Sequence, residues 1–427
     1  MQDCSGEVVL KELETSSNLF ITGEAGAGKT YLASKWAETT NKNVALTATT
    51  GIAAVNLGGE TICRFLGIGI AARPFEAGKI LGKWEKIKKS TAPWDKQRWR
   101  TIQALETIII DEVSMLRRDQ FELIDIVLAG IKEMSIPFGG VQMVLVGDFF
   151  QLPPVVDTEH SKLFEDLKEP YCFQSDIWKY GNFKSFNLTT NYRQSDPKFL
   201  AMLNELRVGA VSNEVDEILK SRLNAKLKTD LTPVKIFSYK YKVEQENLEC
   251  LKKLPHDKLL SEAEYTGKSF DVEILKKDCP ANSNLYFCED AQIMMLTNDR
   301  DGRWVNGTMG IIKKVNPLTV KLANGTEAEI EPHTWERTTY QIKNNSIVKT
   351  VLATMRQYPI KICYCISTHK SQGITLDFVE VDLSDCFSAG QAYVALSRVK
   401  TLEGLKLTGW NKKSVFADDR VLNFYRR

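Results

Sequence analysis

A glycine-rich stretch near the N-terminus has the residue types and the spacing of a phosphate-binding loop. The string Gly-Glu-Ala-Gly-Ala-Gly-Lys-Thr at residues 23–30 fits the pattern of Gly, four residues and Gly-Lys-Thr without a mismatch. In such a loop backbone N–H groups face phosphate, the lysine reaches the β- and γ-phosphates, and the threonine ligates Mg²⁺. A glycine-rich turn of chance composition is the alternative. The candidate nucleotide-binding residues of the loop are Gly23, Ala25, Gly26, Ala27, Gly28, Lys29 and Thr30.

Two carboxylates follow the apolar run at residues 107–110, which reads as a buried strand. Asp111 and Glu112 are costly at that place unless a cation lies nearby, and nucleotide-bound Mg²⁺ is such a cation. We expect Asp111 to hold the metal and Glu112 to activate the attacking water, with a surface turn as the alternative. Gln151 follows a later apolar run and is expected to sense the γ-phosphate, unless it only ties down a proline-rich turn.

The elements that carry these groups form a regular series. Apolar runs at residues 18–22, 44–47, 107–110 and 141–146 read as buried strands, and polar side chains begin where each run ends. Such a series predicts a parallel α/β sheet, whose ligand crevice lies at the carboxyl ends of the strands. Thr50 follows the second run, and it is either a donor to a ligand phosphate or only the cap of a helix.

The second half of the chain has a different pattern. A strand at residues 235–239 opens a second sheet, and short β-rich runs separated by turns such as Asn306-Gly307 predict a β-rich insert within it. No second phosphate loop occurs, so the chain has one nucleotide site. Arg193 and Arg398 would stabilise charge on the transferring γ-phosphoryl if this half closes over the nucleotide. A surface ion pair is the ordinary role of a lone arginine.

Composition is that of an ordinary soluble globular protein, and 427 residues leave room for about two to four domains or subdomains. The net charge of +2 requires any nucleic-acid site to be a local patch. Nine scattered cysteines without zinc spacing predict reduced thiols in an intracellular protein. Acidic residues near the N-terminus argue against a signal peptide, and no apolar run is long enough for a membrane span.

The stretch from residue 67 to residue 100 combines lysines with Trp84, Trp94 and Trp99. Basic residues interleaved with aromatic rings suit a single nucleic-acid strand, because phosphates need charge and bases need flat surfaces. An ordinary solvated helix with the tryptophans packed beneath it is the alternative, since three acidic residues dilute the basic run. The sequence favours neither interpretation.

Taken together, the motif strings resemble the Pif (petite integration frequency) helicases, which are superfamily-one motor proteins related to RecD. Residues 188–194 contribute to the resemblance, and residues 203–209 look like the signature segment of that family. The resemblance covers about residues 18 to 399. The strings beside the phosphate loop are Asp-Glu-Val-Ser-Met at 111–115, Gly-Asp-Phe-Phe-Gln-Leu-Pro-Pro at 147–154, His-Lys-Ser-Gln-Gly at 369–373 and Tyr-Val-Ala-Leu-Ser-Arg at 393–398.

The resemblance implies an α/β fold with two RecA-like P-loop NTPase domains, whose parallel sheets are flanked by helices, and with small inserted accessory subdomains, one of them β-rich. ATP binds between the domains. The expected ranges are 1–66 and 101–185 for the first RecA-like domain, 186–260 and 351–427 for the second, 67–100 for a wedge-like insert and 261–350 for the β-rich insert.

The resemblance also implies an ATPase that uses ATP and Mg²⁺. Thr30 and Asp111 would hold the metal, and Gly373 would join the phosphate loop in binding the nucleotide. Gln2 is the only candidate for the glutamine that reads adenine in the family. The catalytic residues carried over are Lys29, Glu112, Gln151, Arg193 and Arg398.

For the substrate, the resemblance implies 5′-to-3′ movement on single-stranded DNA and unwinding at junctions of single and double strands, with G-quadruplex DNA as a further substrate. A DNA translocase that remodels nucleoprotein without processive strand separation is the alternative. The family usually shows Thr-Ile-His, a small residue and Phe where this chain has Cys63 and Arg64, so Arg64 would bind a phosphate directly. The expected DNA-binding residues are Thr50, Gly51, Arg64, Phe65, Thr368, His369 and Lys370.

The resemblance further implies a place in DNA repair, DNA recombination and telomere maintenance. We expect a monomer in solution that does not associate with membranes. A bacterial or phage protein would be cytoplasmic and associated with the nucleoid, and a nuclear or mitochondrial location would apply only to a trimmed eukaryotic core.

Overall fold

The computed structural model describes residues 1–155, 169–194, 196–237, 240–368, 371 and 373–426. Its first sheet has seven parallel strands, which lie side by side in the order first, seventh, second, sixth, fifth, third and fourth along the chain. The central strands are buried along their whole length, as expected of a parallel sheet covered on both faces. The predicted parallel α/β sheet is therefore confirmed. The strands are Gln2–Cys4, Leu19–Gly23, Val44–Ala48, Glu60–Thr61, Thr107–Asp111, Gln142–Val146 and Lys184–Leu188.

The helices of this part connect the strands and cover the sheet. In the helix Arg118–Lys132 the buried residues Phe121, Ile124, Leu128 and Ile131 recur at helical spacing, so one face of the helix packs on the core. The helix ends where Glu133 takes a left-handed conformation with a φ of 56°. The other helices are Gly6–Leu13, Lys29–Thr39, Gly51–Asn56, Ile62–Phe65, Ala77–Lys89, Pro93–Ala104 and Asp176–Tyr180.

The stretch from residue 67 to residue 100 contains most of two helices, Ala77–Lys89 and Pro93–Ala104. Trp84 is buried, and its indole N–H donates to the carbonyl of Leu66 at 2.9 Å. Trp94 is half exposed. The packing of Trp84 matches the interpretation in which tryptophans lie beneath a solvated helix.

The second sheet has four parallel strands, which lie in the order Cys365–Ser367, Val234–Phe237, Val379–Leu383 and Leu405–Trp410. Residues 238 and 239, at the end of the predicted strand 235–239, lie outside the described residues. In the described part of the chain, no helix is both long and apolar enough to cross a membrane. The helices beside this sheet are Pro197–Arg207, Asn213–Ser221, Lys240–Lys253 and Gln391–Leu396.

The predicted β-rich insert is confirmed as a group of antiparallel sheets with a core of its own. A two-stranded sheet pairs Leu259–Glu262 with Asn284–Phe287, and the helix Ser269–Asp278 lies between these strands in sequence. The five-stranded sheet has the order Glu327–Glu329, Leu318–Leu322, Met309–Val315, Gln292–Met295 and Ile360–Ile362. The three-stranded sheet has the order Glu264–Gly267, Ser346–Gln357 and His333–Lys343.

The long hairpin of the insert, His333–Lys343 with Ser346–Gln357, packs against the first sheet. Tyr340 is buried there, and its hydroxyl bonds both to the N–H of Leu46 at 2.8 Å and to the carbonyl of Leu46 at 3.0 Å. The chain before the neighbouring strand Glu60–Thr61 runs past the same carbonyl, since a Cβ on Gly59 would lie 2.1 Å from the oxygen of Leu46. The tyrosine hydroxyl therefore satisfies the backbone groups at this end of the sheet edge.

The last helix, Asp419–Tyr425, also packs on the core of the first part. The ring of Phe424 stacks on Phe173 with centroids 4.4 Å apart, and the ring of Tyr425 lies 4.5 Å from that of Phe150. The chain thus returns to the first core after it completes the second sheet.

Replacing Tyr340 with phenylalanine should destabilise the protein by about 1 to 3 kcal/mol, because the change removes the hydroxyl that bonds to the buried N–H and the carbonyl of Leu46 and leaves that N–H without its partner. The measurement is the free energy of unfolding in urea. The matched control is Tyr286→Phe, a half-exposed tyrosine of the insert, which should cost less than about 0.5 kcal/mol. Equal losses in the two variants would contradict the role given to the Tyr340 hydroxyl.

Candidate functional site

The phosphate loop turns between the buried strand Leu19–Gly23 and the helix Lys29–Thr39. Gly26 and Gly28 have φ values of 90° and 75°, a conformation that side chains disfavour. A Cβ on Gly26 would lie 2.5 Å from the Cβ of Arg193, so the loop also needs a glycine there for contact with the second half. Strand, loop and helix therefore have the arrangement that the sequence pattern predicts.

The lysine of the loop is folded back onto the loop itself. The Lys29 ammonium donates to the carbonyl of Gly23 at 2.8 Å and to the carbonyl of Glu24 at 2.9 Å. Burial lowers the pKa of Lys29, and the nearby charge of Asp148 acts in the opposite direction. The ammonium is thus held by neutral acceptors at the place where phosphates are expected.

The two predicted metal-holding side chains contact each other. The hydroxyl of Thr30 donates to Oδ2 of Asp111 at 2.8 Å, and Oδ1 of Asp111 accepts the backbone N–H of Glu112 at 2.8 Å. Within the described residues, no three His, Cys, Asp or Glu side chains form a metal cage. One hydroxyl and one carboxylate suit Mg²⁺, which keeps waters and takes its other ligands from substrate phosphates.

Glu112 lies beside this pair with a left-handed backbone, at a φ of 55°. Burial, followed by the charge of Asp111, raises the pKa of Glu112 to about 7, and burial also raises the pKa of Asp111. A carboxylate whose pKa lies near neutrality is suited to accept a proton from water.

The second half of the chain brings two guanidinium groups to this place. Arg398 is 1% exposed, and it donates to the carbonyls of Val394 and Ser371 and to the hydroxyl of Ser397. Arg193 donates to the carbonyls of Ser397 and Gly373, each at 3.3 Å. The acceptors that the described residues give to the two groups include no carboxylate.

Burial, followed by the charge of Arg193, lowers the pKa of Arg398, and burial lowers the pKa of Arg193. Both guanidinium groups stay charged at neutral pH, because an arginine side chain is not deprotonated in proteins and even the lowered pKa of Arg398 is about 9. The positive charges of Arg193 and Arg398 act to lower the pKa of Glu112, but burial and the charge of Asp111 outweigh them. The site therefore holds two positive charges near the predicted general base, in a place that favours an anionic ligand.

The segment that carries Arg193 lies directly on the phosphate loop. The N–H of Tyr192 donates to the carbonyl of Gly26 at 2.9 Å, and the side-chain amide of Asn191 donates to the carbonyl of Ala25 at 3.0 Å. The ring of Tyr192 is 78% exposed and lies 3.3 Å from where a Cβ on Gly28 would be. The sequence analysis did not single out Tyr192 or Asn191, although both stand next to Arg193 in one string.

A second link joins the loop to the helix Gln391–Leu396. The hydroxyl of the buried Tyr393 accepts the N–H of Ala25 at 3.0 Å. Burial raises the pKa of Tyr393 to about 12, so the hydroxyl stays protonated. Tyr393 begins the string that ends at Arg398, and its place in that string is the only sequence signal for this contact.

Gln151 is 8% exposed, and its N–H donates to the carbonyl of Asp148 at 3.0 Å. A Cβ on Gly390 would lie 2.7 Å from the carbonyl oxygen of Gln151, so the second half packs closely on this turn. The structure thus places Gln151 at the boundary between the two halves, and its γ-phosphate role stays a prediction.

A buried ion pair beside this turn was not predicted. Arg207, in the signature segment, donates twice to Asp148, with both distances 2.9 Å. The hydroxyl of Tyr425 bonds to Thr22 at 2.8 Å, accepts the N–H of Phe149 at 3.2 Å and lies 3.3 Å from Asp148. This network ties the strand before the phosphate loop to the turn that carries Gln151.

The expected DNA contacts of the first part lie together at one edge of the sheet. Thr50 caps the helix Gly51–Asn56, because its hydroxyl accepts the N–H of Ala53 at 3.3 Å. Phe65 is buried and its ring centroid lies 5.8 Å from that of Tyr340, so the ring is not open to a base in this conformation. Arg64 is ion-paired with Asp278 at 2.8 Å.

The remaining candidates are less informative. Thr368 is buried, with its N–H and its hydroxyl both directed to the carbonyl of Phe237. His369 and Lys370 lie outside the described residues. Gln2 is exposed on the edge strand of the first sheet, opposite Phe186.

Comparisons with known proteins agree on one family. A model of the PIF1-like helicase family matches residues 6–217. The ATP-dependent DNA helicase Pif1 of Bdellovibrio bacteriovorus is 33% identical over 418 residues, which are 97% of this chain and 89% of the relative. The ATP-dependent DNA helicase PIF1 of Xenopus laevis is 32% identical over 98% of this chain, which spans 63% of that longer relative.

Solved structures give the same likeness. The crystal structure of Bacteroides sp Pif1 in complex with ADP-AlF4 has a TM-score of 0.87 at 30% identity, over 99% of this chain and 95% of the other. The crystal structure of Bacteroides Pif1 bound to ssDNA covers the same shares at 30% identity with a TM-score of 0.66. The fold of this chain is thus matched over nearly its full length.

Replacing Arg398 with alanine should slow ATP hydrolysis by about 10³-fold or more if its guanidinium stabilises the transferring phosphoryl group. The measurement is steady-state ATP turnover with saturating single-stranded DNA. The matched control is Arg222→Ala, because Arg222 also donates to backbone carbonyls of the second half but has none of the site contacts described above. A loss below tenfold at Arg398 would make that residue structural.

Proposed function

Because the chain belongs to the PIF1-like helicase family, we propose that it uses ATP hydrolysis to move 5′ to 3′ along single-stranded DNA and to separate duplex strands at a junction. It is an ATP-dependent DNA helicase, and therefore an ATPase. The observation that carries the proposal is the pair of guanidinium groups, the buried Arg398 and the partly buried Arg193, that the second half holds beside the phosphate loop. Such a pair is suited to the γ-phosphate of a nucleotide bound between the halves.

In the hydrolysis step, Lys29 leaves the carbonyls of its own loop for the β- and γ-phosphates of ATP. Glu112 accepts a proton from the attacking water as the water oxygen bonds to the γ-phosphorus and the bond to ADP breaks. Arg193 and Arg398 stabilise the charge that develops on the phosphoryl oxygens, and Gln151 senses the phosphoryl group. Gly373 lies at the same boundary through its contact with Arg193.

Thr30 and Asp111 are the residues that would hold Mg²⁺, since their oxygen atoms already lie 2.8 Å apart. When bound, the ion neutralises charge on the phosphates. Proton transfer and the remaining charge stabilisation are carried out by the side chains named above.

Movement follows from the contacts that join the halves. The segment 191–193 and Tyr393 hold the phosphate loop from the second half, and the arginines gain a strong anionic partner only when a triphosphate is present. Nucleotide binding thus favours a closed arrangement, and hydrolysis removes that preference. If DNA grips alternate between the halves, each cycle becomes one directed step.

For DNA, the proposal assigns Thr50, Gly51, Arg64 and Phe65 to the first part. It assigns Thr368, His369 and Lys370 to the second part. The stretch 67–100 is the candidate wedge at the duplex junction. The exposed Ile70 and Phe75, which are 78% and 76% exposed, give that stretch apolar side chains that could meet a base pair.

The proposed domains follow the ranges expected from the sequence, with two refinements that the contacts support. The strand Lys184–Leu188 completes the first sheet, and the helix Asp419–Tyr425 packs on the first core although it follows the second sheet. We further propose action as a monomer, activity on G-quadruplex DNA, and roles in repair, recombination and telomere maintenance according to the organism of origin. We propose a nucleoid-associated location in a bacterial or phage source, in keeping with the bacterial relative.

An unwinding assay on duplexes with a 5′ or a 3′ single-stranded tail tests the proposal. We expect strand separation of the 5′-tailed duplex only. Separation of the 3′-tailed duplex alone would overturn the polarity. Displacement of a protein block from DNA without separation of either duplex would favour the translocase instead.

Replacing Lys29 with alanine should abolish ATP turnover and leave the affinity for single-stranded DNA largely unchanged, because Lys29 bonds only to the phosphate loop. Turnover and fluorescence anisotropy measure the two effects. The matched control is Lys35→Ala, which removes an exposed lysine from the same helix and should preserve both properties. Normal hydrolysis with lost DNA affinity would refute the role given to Lys29.

A further inference from the structure

A carboxylate of the β-rich insert lies against the surface that the proposed function gives to DNA. Asp278 is the last residue of the helix Ser269–Asp278, and its Oδ2 lies 2.8 Å from Nη1 of Arg64. A Cβ on Gly51 would lie only 2.2 Å from Oδ1 of Asp278 and 3.1 Å from its Cβ. One acidic side chain of the insert therefore covers both Gly51 and Arg64.

Arg64, the partner of Asp278, lies where another anion can reach it. Arg64 is 31% exposed at its side chain and Asp278 is 18% exposed, so the pair lies at the rim of the contact rather than in the core. Glu60, the other carboxylate of the narrow cleft beside Arg64, accepts a hydrogen bond from Thr339 at 3.0 Å instead. Arg64 thus depends on Asp278 for its ion pair in this conformation.

A second ion pair of the same helix is different in kind. Asp271 pairs with Arg337 of the long hairpin at 3.0 Å, with side chains 12% and 10% exposed, and this pair lies within the insert. It fixes the helix to the hairpin. The pair of Asp278 with Arg64 instead joins the insert to the first part of the chain, at residues expected to meet phosphate.

We propose that Asp278 acts as an internal competitor of DNA, its carboxylate occupying at Arg64 the place of a backbone phosphate of single-stranded DNA. The inference rests on the proposed function, since it takes Gly51 and Arg64 as part of the DNA surface. A carboxylate and a phosphate both accept hydrogen bonds from a guanidinium, so the two anions compete for Nη1 of Arg64. Because the Cβ of Asp278 also lies close to Gly51, a DNA strand along Thr50 and Gly51 requires the end of the helix to withdraw.

The consequence is a DNA-free arrangement in which the insert partly closes the DNA surface. The pair of Arg64 with Asp278 is partly open to solvent, so a polyanion that makes several contacts at once can displace Asp278. The contact lowers the affinity for short or poorly placed strands and is lost when DNA engages Arg64.

The test is the affinity of the full chain for fluorescein-labelled oligo(dT), measured by fluorescence anisotropy without nucleotide at one fixed salt concentration. Asp278→Asn keeps the shape of the side chain and removes its charge, and it should tighten binding about two- to fivefold, as expected for loss of a weak competing ion pair. Glu273→Gln is the matched control, because it removes an exposed charge from the same helix without touching Arg64, and it should leave the affinity unchanged. Unchanged or weaker binding by Asp278→Asn overturns the proposal.

A double-mutant cycle separates this inference from the proposed function. Arg64→Ala should weaken binding, and Asp278→Asn should bring no gain when added to Arg64→Ala. A gain of the same size in both backgrounds would mean that Asp278 acts by general repulsion, which overturns the competition at Arg64. If single-stranded DNA did not stimulate ATP turnover by the protein without substitutions, that result would instead count against the proposed function. Thermal unfolding of Asp278→Asn, expected to match that of Glu273→Gln, shows that the affinities compare folded proteins.

Discussion

The site depends on two positive charges that the second half of the chain holds beside the phosphate loop without a carboxylate partner among the described residues. A buried charge without a counterion costs several kcal/mol, and carbonyl and hydroxyl dipoles offset only part of that cost. Arg398, at 1% exposure, has such dipoles from Val394, Ser371 and Ser397. A ligand that brings negative charge to this place therefore stabilises the closed arrangement far more than the protein alone can. Closure of the two halves therefore depends on a bound nucleotide, because the nucleotide supplies the missing negative charge.

The backbone of the phosphate loop is the second constraint, because the second half contacts it directly. Gly26 meets Arg193 so closely that no side chain fits, and its carbonyl accepts the N–H of Tyr192. The hydroxyl of Tyr393 takes the N–H of Ala25. Bonds to the main chain respond to the shape of the loop rather than to any one side chain. If the loop backbone shifts when Lys29 binds phosphate, these bonds shift the segments that carry the arginines.

The sequence predicted those parts of the fold and the site that are local. The phosphate loop, its flanking strand and helix, and the pair Asp111 and Glu112 each lie within a few residues of one another, and hydrophobic periodicity placed them at strand ends. The ion pair of Asp148 with Arg207 joins residues 59 apart, and the contact of Tyr425 with Thr22 joins residues 403 apart. Nothing in the types or spacing of these residues indicates a partner so distant. The same holds for Trp84, because the composition of residues 67–100 did not indicate which tryptophan is buried and which is exposed.

The β-rich insert contacts the first part of the chain at two places, the long hairpin at the sheet edge and the end of the helix Ser269–Asp278. The fourth strand is two residues long, and beside it the hydroxyl of Tyr340, from the long hairpin, bonds to the N–H and the carbonyl of Leu46. Breaking that contact would leave the buried N–H of Leu46 without its partner, whereas the pair of Asp278 with Arg64 is partly open to solvent and can exchange its carboxylate for another anion. The hairpin is thus the firm attachment and the end of the helix Ser269–Asp278 is the weak one. Under the competition proposed above, Asp278 would withdraw from Gly51 while the hairpin keeps its bonds to Leu46, so the DNA surface of the first part would open without loss of this sheet edge.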